Sequence, residues 1–198
     1  MANSWNDEQT LRNRILFLGD DDTWDLNSIL EQANRRVKTV FGSKVQETLR
    51  KVYENQRIFY TKFPNIHCLK TVYLNDKVVD NENYETLDTE TSDNDFYIEF
   101  TETYADANLN RPFNLVIEYV PTVFKDLELQ FAIEEILTWT SVQSNDENEN
   151  TRLTNAKSRS NKLIKEIKNL MPIVNRNMGN SLKSNARQWG KFNLINRT

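Results

Sequence analysis

Two sets of side chains in this 198-residue chain are of types that do chemistry, and the first is a neighbouring pair. His67 is the only histidine and Cys68 the only cysteine. A catalytic triad would need His67, but this residue alternates through an apolar segment, as a histidine on the face of a sheet does. With one residue of each type the chain has no HExxH motif, no common zinc cluster and no CxxC pair.

The second set is four aspartates, Asp20, Asp21, Asp22 and Asp25. Their carboxylates could hold a divalent cation. Acids directly before a strong helix are also what the positive end of the helix favours, and we prefer this interpretation. Only four glycines occur, and no glycine-rich phosphate-binding motif is present. We therefore expect a protein that is not an enzyme, with no catalytic residue, no metal site and no cofactor.

The amino-terminal part has the apolar spacing of helices. A short helix is predicted over 7–18 and a stronger one over 26–41, ended by Gly42. A third helix is predicted to open at Ser43, with Gln46 completing a capping box. Its narrow core face would comprise Val45, Leu49 and Val52.

The middle of the chain alternates as strands do, and the predicted strands cover 58–61, 68–74, 77–79, 96–100 and 113–120. Asn75-Asp76 is predicted to form a two-residue hairpin turn. The acidic segment 80–95 is predicted to be a polar loop or a weak edge strand.

Pro121 ends the last strand, and the longest helix is predicted from Thr122 or Asp126 to about Val142. Its apolar residues form two stripes, which predicts packing on two sides, with a neighbouring subunit as a candidate for the second body. A last helix is predicted from about Asn155 to Met171. The candidate subunit-interface residues on these two helices are Phe124, Leu127, Phe131, Ile164, Ile167 and Met171.

These elements predict an α+β fold, with helices flanking a small, mainly antiparallel sheet, a long sheet-packed helix and an extended carboxy-terminal arm. The predicted organisation is an acidic body over 1–144, a solvated linker over 145–152, a basic amphipathic helix over 153–172 and an extended basic arm over 173–198.

The amino-terminal and carboxy-terminal parts of the chain carry net charges of opposite sign. Residues 151–198 hold eleven Lys and Arg against the single acid Glu166, a net charge of +10, while the whole chain carries -4, which leaves -14 in residues 1–150. The basic segment could be simply solvated, or could bind nucleic acid with aromatic side chains stacking on bases. We favour docking onto acidic protein surfaces, because the body is acidic and the arm has apolar anchors. The candidate docking residues are Arg176, Lys183, Arg187, Trp189, Lys191 and Phe192.

The strand–Pro–helix order adds a family resemblance. Residues 113–121, a spacer over 122–125 and Asp126-Leu127 leading into Ala132-Ile133 resemble the head–tail connector (adaptor) proteins of tailed bacteriophages. The hairpin at 72–76 and the downstream Tyr84 are similar to the hairpin and tyrosine of that family, and gatekeeper-type tail tubular proteins of podoviruses share the length and order. The chain departs from the family in having Asp76 at the usual Gly, no Gly after the Tyr, and a long loop over 80–95.

The resemblance implies a structural protein of the virion neck at the portal vertex, made in the host cytoplasm. Family members form a ring, commonly of twelve copies, beneath the portal protein. Their carboxy-terminal segments grip the portal or a neighbouring copy, and the lower face receives a stopper, nozzle or tail protein. An acidic body can line the channel, so that double-stranded DNA passes without specific binding.

Two alternatives remain open. The chain could be another neck or tail-joining subunit, such as a head-completion or tail-terminator protein, or a nucleic-acid-binding accessory protein that uses the basic arm. The amino terminus lacks the basic and apolar blocks of a signal peptide, and no window approaches eighteen apolar residues, so no membrane association is expected.

Overall fold

The computed structural model describes residues 4–15, 24–86, 96–144 and 147–175. This part of the chain contains five helices, which are α1 (Glu8–Arg14), α2 (Leu26–Phe41), α3 (Glu102–Asn108), α4 (Thr122–Ser144) and α5 (Glu147–Asn175). It also contains seven strands, which are β1 (Val45–Leu49), β2 (Ile58–Tyr60), β3 (Ile66–Leu74), β4 (Lys77–Val78), β5 (Tyr84–Thr86), β6 (Tyr97–Phe100) and β7 (Leu115–Pro121).

The described residues divide into two compact units, and the first is mainly helical. It takes in residues up to 45, 65–68 and 119–168, so it holds α1, α2, α4 and most of α5. Helix α2 packs along α4, and α1 contacts both. The apolar stripe of α2 supplies one side of this core, with Leu30 and Val37 fully buried.

Both ends of α2 have local causes in the sequence. The carboxylate of Asp25 accepts a hydrogen bond from the backbone N–H of Ser28 at 3.0 Å, which satisfies one of the free donors of the first turn. At the other end Gly42 has a φ of +87°, a conformation that side chains other than glycine rarely adopt. The helix therefore ends at Phe41, where the apolar spacing predicted it to end.

The second unit takes in residues 46–64, 69–118 and those from 169 onward, as far as they are described. It contains most of a four-stranded sheet in the order β1-β7-β3-β4 and a three-stranded sheet in the order β2-β6-β5, both antiparallel. Phe59 anchors the core of the smaller sheet, with its ring edge-on to the rings of Phe100 and Phe113 at 5.9 Å. The α+β class with antiparallel sheets is confirmed.

The hairpin between β3 and β4 turns at Asn75-Asp76, as predicted. Both residues have positive φ, 51° for Asn75 and 65° for Asp76, which is the geometry of a type I′ turn. The side-chain oxygen of Asn75 also accepts a hydrogen bond from the backbone N–H of Asn114 at 2.9 Å. Asn75 therefore stabilises both the turn and the loop that contains Asn114. At position 76 a type I′ turn favours glycine over aspartate.

Replacing Asp76 with glycine is expected to raise the free energy of unfolding by about 0.5–1 kcal/mol, because glycine adopts positive φ without steric cost. Urea denaturation of the two proteins measures the difference. Asn75→Gly is the matched control and should stabilise less, since it relieves similar strain but loses the bond to Asn114. A lower stability for Asp76→Gly would contradict this account of the turn.

One predicted element has the wrong type. The helix expected to open at Ser43 is instead strand β1, in which Val45, Glu47 and Leu49 are buried and the residues between them are partly exposed. Val45 and Leu49 are four residues apart, a spacing that fits one face of a helix and one face of a strand equally well. Val52, assigned to the same core face, is 83% exposed.

Other boundaries also differ from the predictions. Helix α3 was not predicted. In the segment 80–95, residues 84–86 form the edge strand β5, which agrees with the second of the two expectations for this segment. The predicted linker over 145–152 is wrong from Glu147 onward, because α5 begins there and continues past Pro172 to Asn175. The predicted single body over 1–144 also differs from the two units, each of which combines segments that are distant in sequence.

Candidate interaction surfaces

Of the residues considered for catalysis or metal binding, the structure describes His67, Cys68 and Asp25. His67 is exposed on β3, and Cys68 beside it is partly buried. Asp25 caps α2, as the interpretation of the aspartate cluster predicted, while the residues at 20–22 lie outside the described part of the chain. Within the described residues, no group of three or more His, Cys, Asp or Glu side chains could hold a metal ion.

Four of the six predicted subunit-interface residues are buried inside the chain itself. Phe124, Leu127 and Ile167 have no exposed surface, and Phe131 is 3% exposed. The prediction of a subunit interface at these four residues is therefore wrong, because their side chains already pack within one chain. Ile164 and Met171 are partly exposed on α5, and their role in an interface stays a prediction.

The second apolar stripe of α4 instead forms part of an aromatic cluster in the first unit. The ring of Phe124 lies 5.8 Å from the ring of Phe41 and 5.8 Å from that of Trp5. The guanidinium of Arg36 lies 3.8 Å from the ring centre of Phe131 and also pairs with Glu134 at 3.3 Å. The amino-terminal segment and α2 therefore cover the side of α4 that was expected to meet a neighbour.

A buried carboxylate holds the amino-terminal segment to α4. Glu128 has no exposed surface, and its two carboxylate oxygens accept hydrogen bonds from the backbone N–H of Trp5 at 3.1 and 2.9 Å. The side-chain amide of Asn6 donates to Glu128 Oε2 at 3.3 Å and to the backbone carbonyl of Lys125 at 2.8 Å. These hydrogen bonds join Trp5 and Asn6, which precede α1, to Lys125 and Glu128 on α4.

Burial raises the pKa of Glu128 above its ordinary value of 4.5, while the hydrogen bonds from Trp5 and Asn6 act in the opposite direction. The side chain of Asn34 on α2 also acts to lower this pKa, yet its two polar atoms make no hydrogen bond of acceptable geometry among the described residues. We take Asn34 to be an electrostatic neighbour of the carboxylate rather than a bonded partner. Nothing in the spacing of the sequence indicated this cluster.

The loop between β1 and β2 presents apolar side chains to solvent. Val52 is 83% exposed and Tyr53 60% exposed. The loop is held in place by Gln56, whose side chain accepts from the backbone N–H of Val52 at 2.6 Å and donates to the carbonyl of Ile58 at 2.8 Å. A cavity of about 700 Å³ runs beside it, and its lining includes Arg50, Lys51 and Arg111.

This surface was missed because Val52 was placed on a helical core face. A loop that carries two exposed apolar residues directly after two basic ones is a candidate protein contact.

Helix α5 has a surface of a different kind. Ala156, Ser160 and Ile167 on one side are buried. Its exposed positions up to residue 171 carry only polar or charged side chains. The exposed cations are Arg152, Lys157, Arg159, Lys162, Lys165 and Lys168. This set of six is called the α5 basic face below.

The six predicted docking residues of the arm, Arg176, Lys183, Arg187, Trp189, Lys191 and Phe192, lie outside the described residues. In the part of the chain that the structure does describe, no helix combines the length and the apolar character needed to cross a membrane.

Comparison with protein-family models finds none that matches this chain. A comparison with curated proteins also finds no match.

Proposed function

We propose that this protein is a structural subunit of the neck of a tailed bacteriophage, a head–tail adaptor that assembles as a ring beneath the portal and lines the DNA channel. The observation that carries the proposal is the direct junction of β7 and α4 at Pro121. This junction has the strand–Pro–helix order on which the resemblance to adaptor proteins rests. The Asn75-Asp76 hairpin, at the place where that family has its own, supports the same assignment.

Charge supports a role in assembly rather than in catalysis. The region up to residue 150 carries -14 and the remainder +10, so the arm of one copy is attracted to acidic surfaces on the portal or on another copy. In this proposal Trp189 and Phe192 are apolar anchors, and Arg176, Lys183 and Arg187 steer the approach. The acidic region faces DNA in the channel and a stopper, nozzle or tail protein below.

A ring also needs contacts between copies, and exposed apolar side chains are the natural source of them. The most exposed ones in the described residues are Val52, Tyr53, Tyr60, Val78, Trp139 and Val142. We assign the subunit contact to Val52 and Tyr53 of this set, in place of the four buried residues. We choose the loop with these two residues because the side chain of Gln56 bonds across it, to the backbone of Val52 and of Ile58.

Replacing Trp189 and Phe192 together with alanine is expected to abolish attachment of the full chain to portal-containing heads, because both apolar anchors of the arm are lost. Co-sedimentation with heads that lack the adaptor, followed by negative-stain imaging of the portal vertex, measures attachment. Trp139→Ala removes an exposed tryptophan from α4 and is the matched control. Attachment at the level of the unaltered chain by the double variant would refute docking through the arm.

The adaptor role and the broader assignment to the neck can be refuted separately. If the unaltered chain adds no ring to such heads but joins isolated tails, the chain is a tail-joining subunit instead. If it joins neither, the neck assignment is wrong.

A further inference from the structure

The α5 basic face concentrates positive charge on one helix. Between residues 151 and 171 it carries six cations against the single acid Glu166. Arg159, Lys162, Lys165 and Lys168 follow one another at intervals of three residues. Because three residues are less than one full turn, this row of cations winds around the helix over about 14 Å of its length. The cations therefore cover most of the side opposite to Ala156 and Ile167.

The side chains between the cations are small and polar. The exposed neighbours include Asn155, Ser158, Asn161 and Asn169, and each of these side chains can donate a hydrogen bond. Lys and Arg interspersed with Ser, Thr and Asn are the side chains that contact phosphate oxygens in nucleic-acid complexes. The composition of the face is thus suited to a polyanion with regularly spaced phosphates.

The same composition is unsuited to other partners. Protein interfaces have an apolar or aromatic centre and are depleted in Lys, whereas no exposed apolar residue lies on the described face. An interfacial helix inserts its apolar face into lipid, but that face of α5, with Ala156 and Ile167, is buried in the chain. Single-stranded nucleic acid needs aromatic side chains for stacking, and α5 has none up to residue 171.

We propose that the α5 basic face binds the phosphate backbone of double-stranded DNA without reading its sequence. From Arg152 to Lys168 the helix extends about 24 Å, a length that about seven base pairs of duplex span. The acidic remainder of the chain repels DNA, but salt at about 0.1 M screens charges beyond about 10 Å, so the nearby face dominates. This inference does not depend on the assignment to the neck. In a neck protein, α5 would supply a contact with DNA that the acidic part of the chain does not supply.

The test uses the full chain and a fluorescently labelled 24-base-pair duplex, with anisotropy measured between about 50 and 200 mM salt. If five or six phosphates are contacted, log K should fall against log salt with a slope of about -5. Two duplexes of unrelated sequence should bind equally. Lys162→Glu, Lys165→Glu and Lys168→Glu combined should weaken binding at low salt at least about tenfold and bring the slope towards -2.

Two further variants make the test specific. Combined Lys162→Gln, Lys165→Gln and Lys168→Gln should show an intermediate loss, which guards against a folding defect caused by acids on the helix. Glu substitutions at the exposed Lys62, Lys70 and Lys77 make the same charge change away from α5 and should weaken binding much less. Circular dichroism establishes that each variant is folded.

Several outcomes would overturn the inference. Equal weakening by both sets of Glu substitutions would show a general charge effect, and unchanged binding by the α5 variants would place DNA binding elsewhere, such as at residues 176–198. Salt-sensitive self-association through the same lysines, with no binding to DNA, would show that the face meets an acidic surface of a second copy. Because the α5 variants retain Trp189 and Phe192, attachment to heads can succeed or fail independently of DNA binding.

Discussion

Replacing Phe124 with alanine is expected to lower the free energy of unfolding by about 3–5 kcal/mol, the usual cost of removing a fully buried phenylalanine. Its ring has no exposed surface and packs against both Trp5 and Phe41, so the cavity left behind would be lined from α2, α4 and the amino-terminal segment. Such a site can collapse only if several elements move together. Urea denaturation followed by tryptophan fluorescence and circular dichroism measures the loss.

Trp139→Ala is the control on the same helix. Its side chain is 56% exposed and donates a hydrogen bond to Glu135 one turn earlier, so its removal should change stability by less than about 1 kcal/mol. If Phe124→Ala were as stable as the control but failed to assemble, the original prediction of a subunit interface at Phe124 would be restored. The comparison thus decides between a core and an interface on one helix.

The helices could be predicted wherever an apolar stripe was long enough. Residues 26–41 show the helical spacing over four turns, and α2 has these bounds. In α4 the sequence showed two stripes but not what covers them, because burial by distant segments leaves no local signal. Trp5 and Phe41 lie far from Phe124 in sequence, and only the folded chain brings them together.

Short elements were harder to predict. The five residues of β1 fit a helical spacing and an alternating one, and α3 has Ala105 as its only buried residue, so neither pattern was distinctive. Pro172 suggested a helix end, but α5 continues three residues beyond it. These differences concern boundaries, the type of one element and one short helix that was not predicted, while the class and the antiparallel sheets agree with the sequence.

The candidate surfaces were predictable only in part. The sequence showed that residues 151–171 are basic, because charge is read directly from residue types. It did not show that the apolar residues of α5 up to residue 171 are buried or partly buried, which is what separates a phosphate-binding face from a protein-docking one. The exposed Val52 and Tyr53 were missed for the corresponding reason, since exposure depends on the element to which a residue belongs.

The buried carboxylate of Glu128 makes stability depend on pH in a definite direction. Its pKa in the folded chain is raised by burial above the ordinary value of 4.5. The folded state therefore binds this proton more tightly than the unfolded state does. The stabilisation is fully present below about pH 4.5 and is lost as pH rises through the folded pKa.

Glu128→Gln removes this titration while keeping an oxygen that can accept from the backbone N–H of Trp5. The wild-type chain should therefore lose stability relative to Glu128→Gln as pH rises from 4 to 8. Parallel urea denaturation of the two proteins across this range measures the difference, and other titrating groups cancel in the comparison. Glu82→Gln at an exposed position controls for the loss of one negative charge.

Glu128→Ala separates the hydrogen bonds from the charge. It leaves the Trp5 N–H without its acceptor and removes one of the two acceptors of the Asn6 amide, so a loss of about 1–3 kcal/mol is expected for each buried donor left unpaired. Glu128→Ala should thus be less stable than Glu128→Gln at every pH from 4 to 8. If the alanine variant matched the glutamine variant, the polar contact would not be what holds residues 4–6 on α4. If the difference between wild type and Glu128→Gln did not change with pH, the carboxylate would titrate alike in the folded and unfolded chains, and burial would not have raised its pKa.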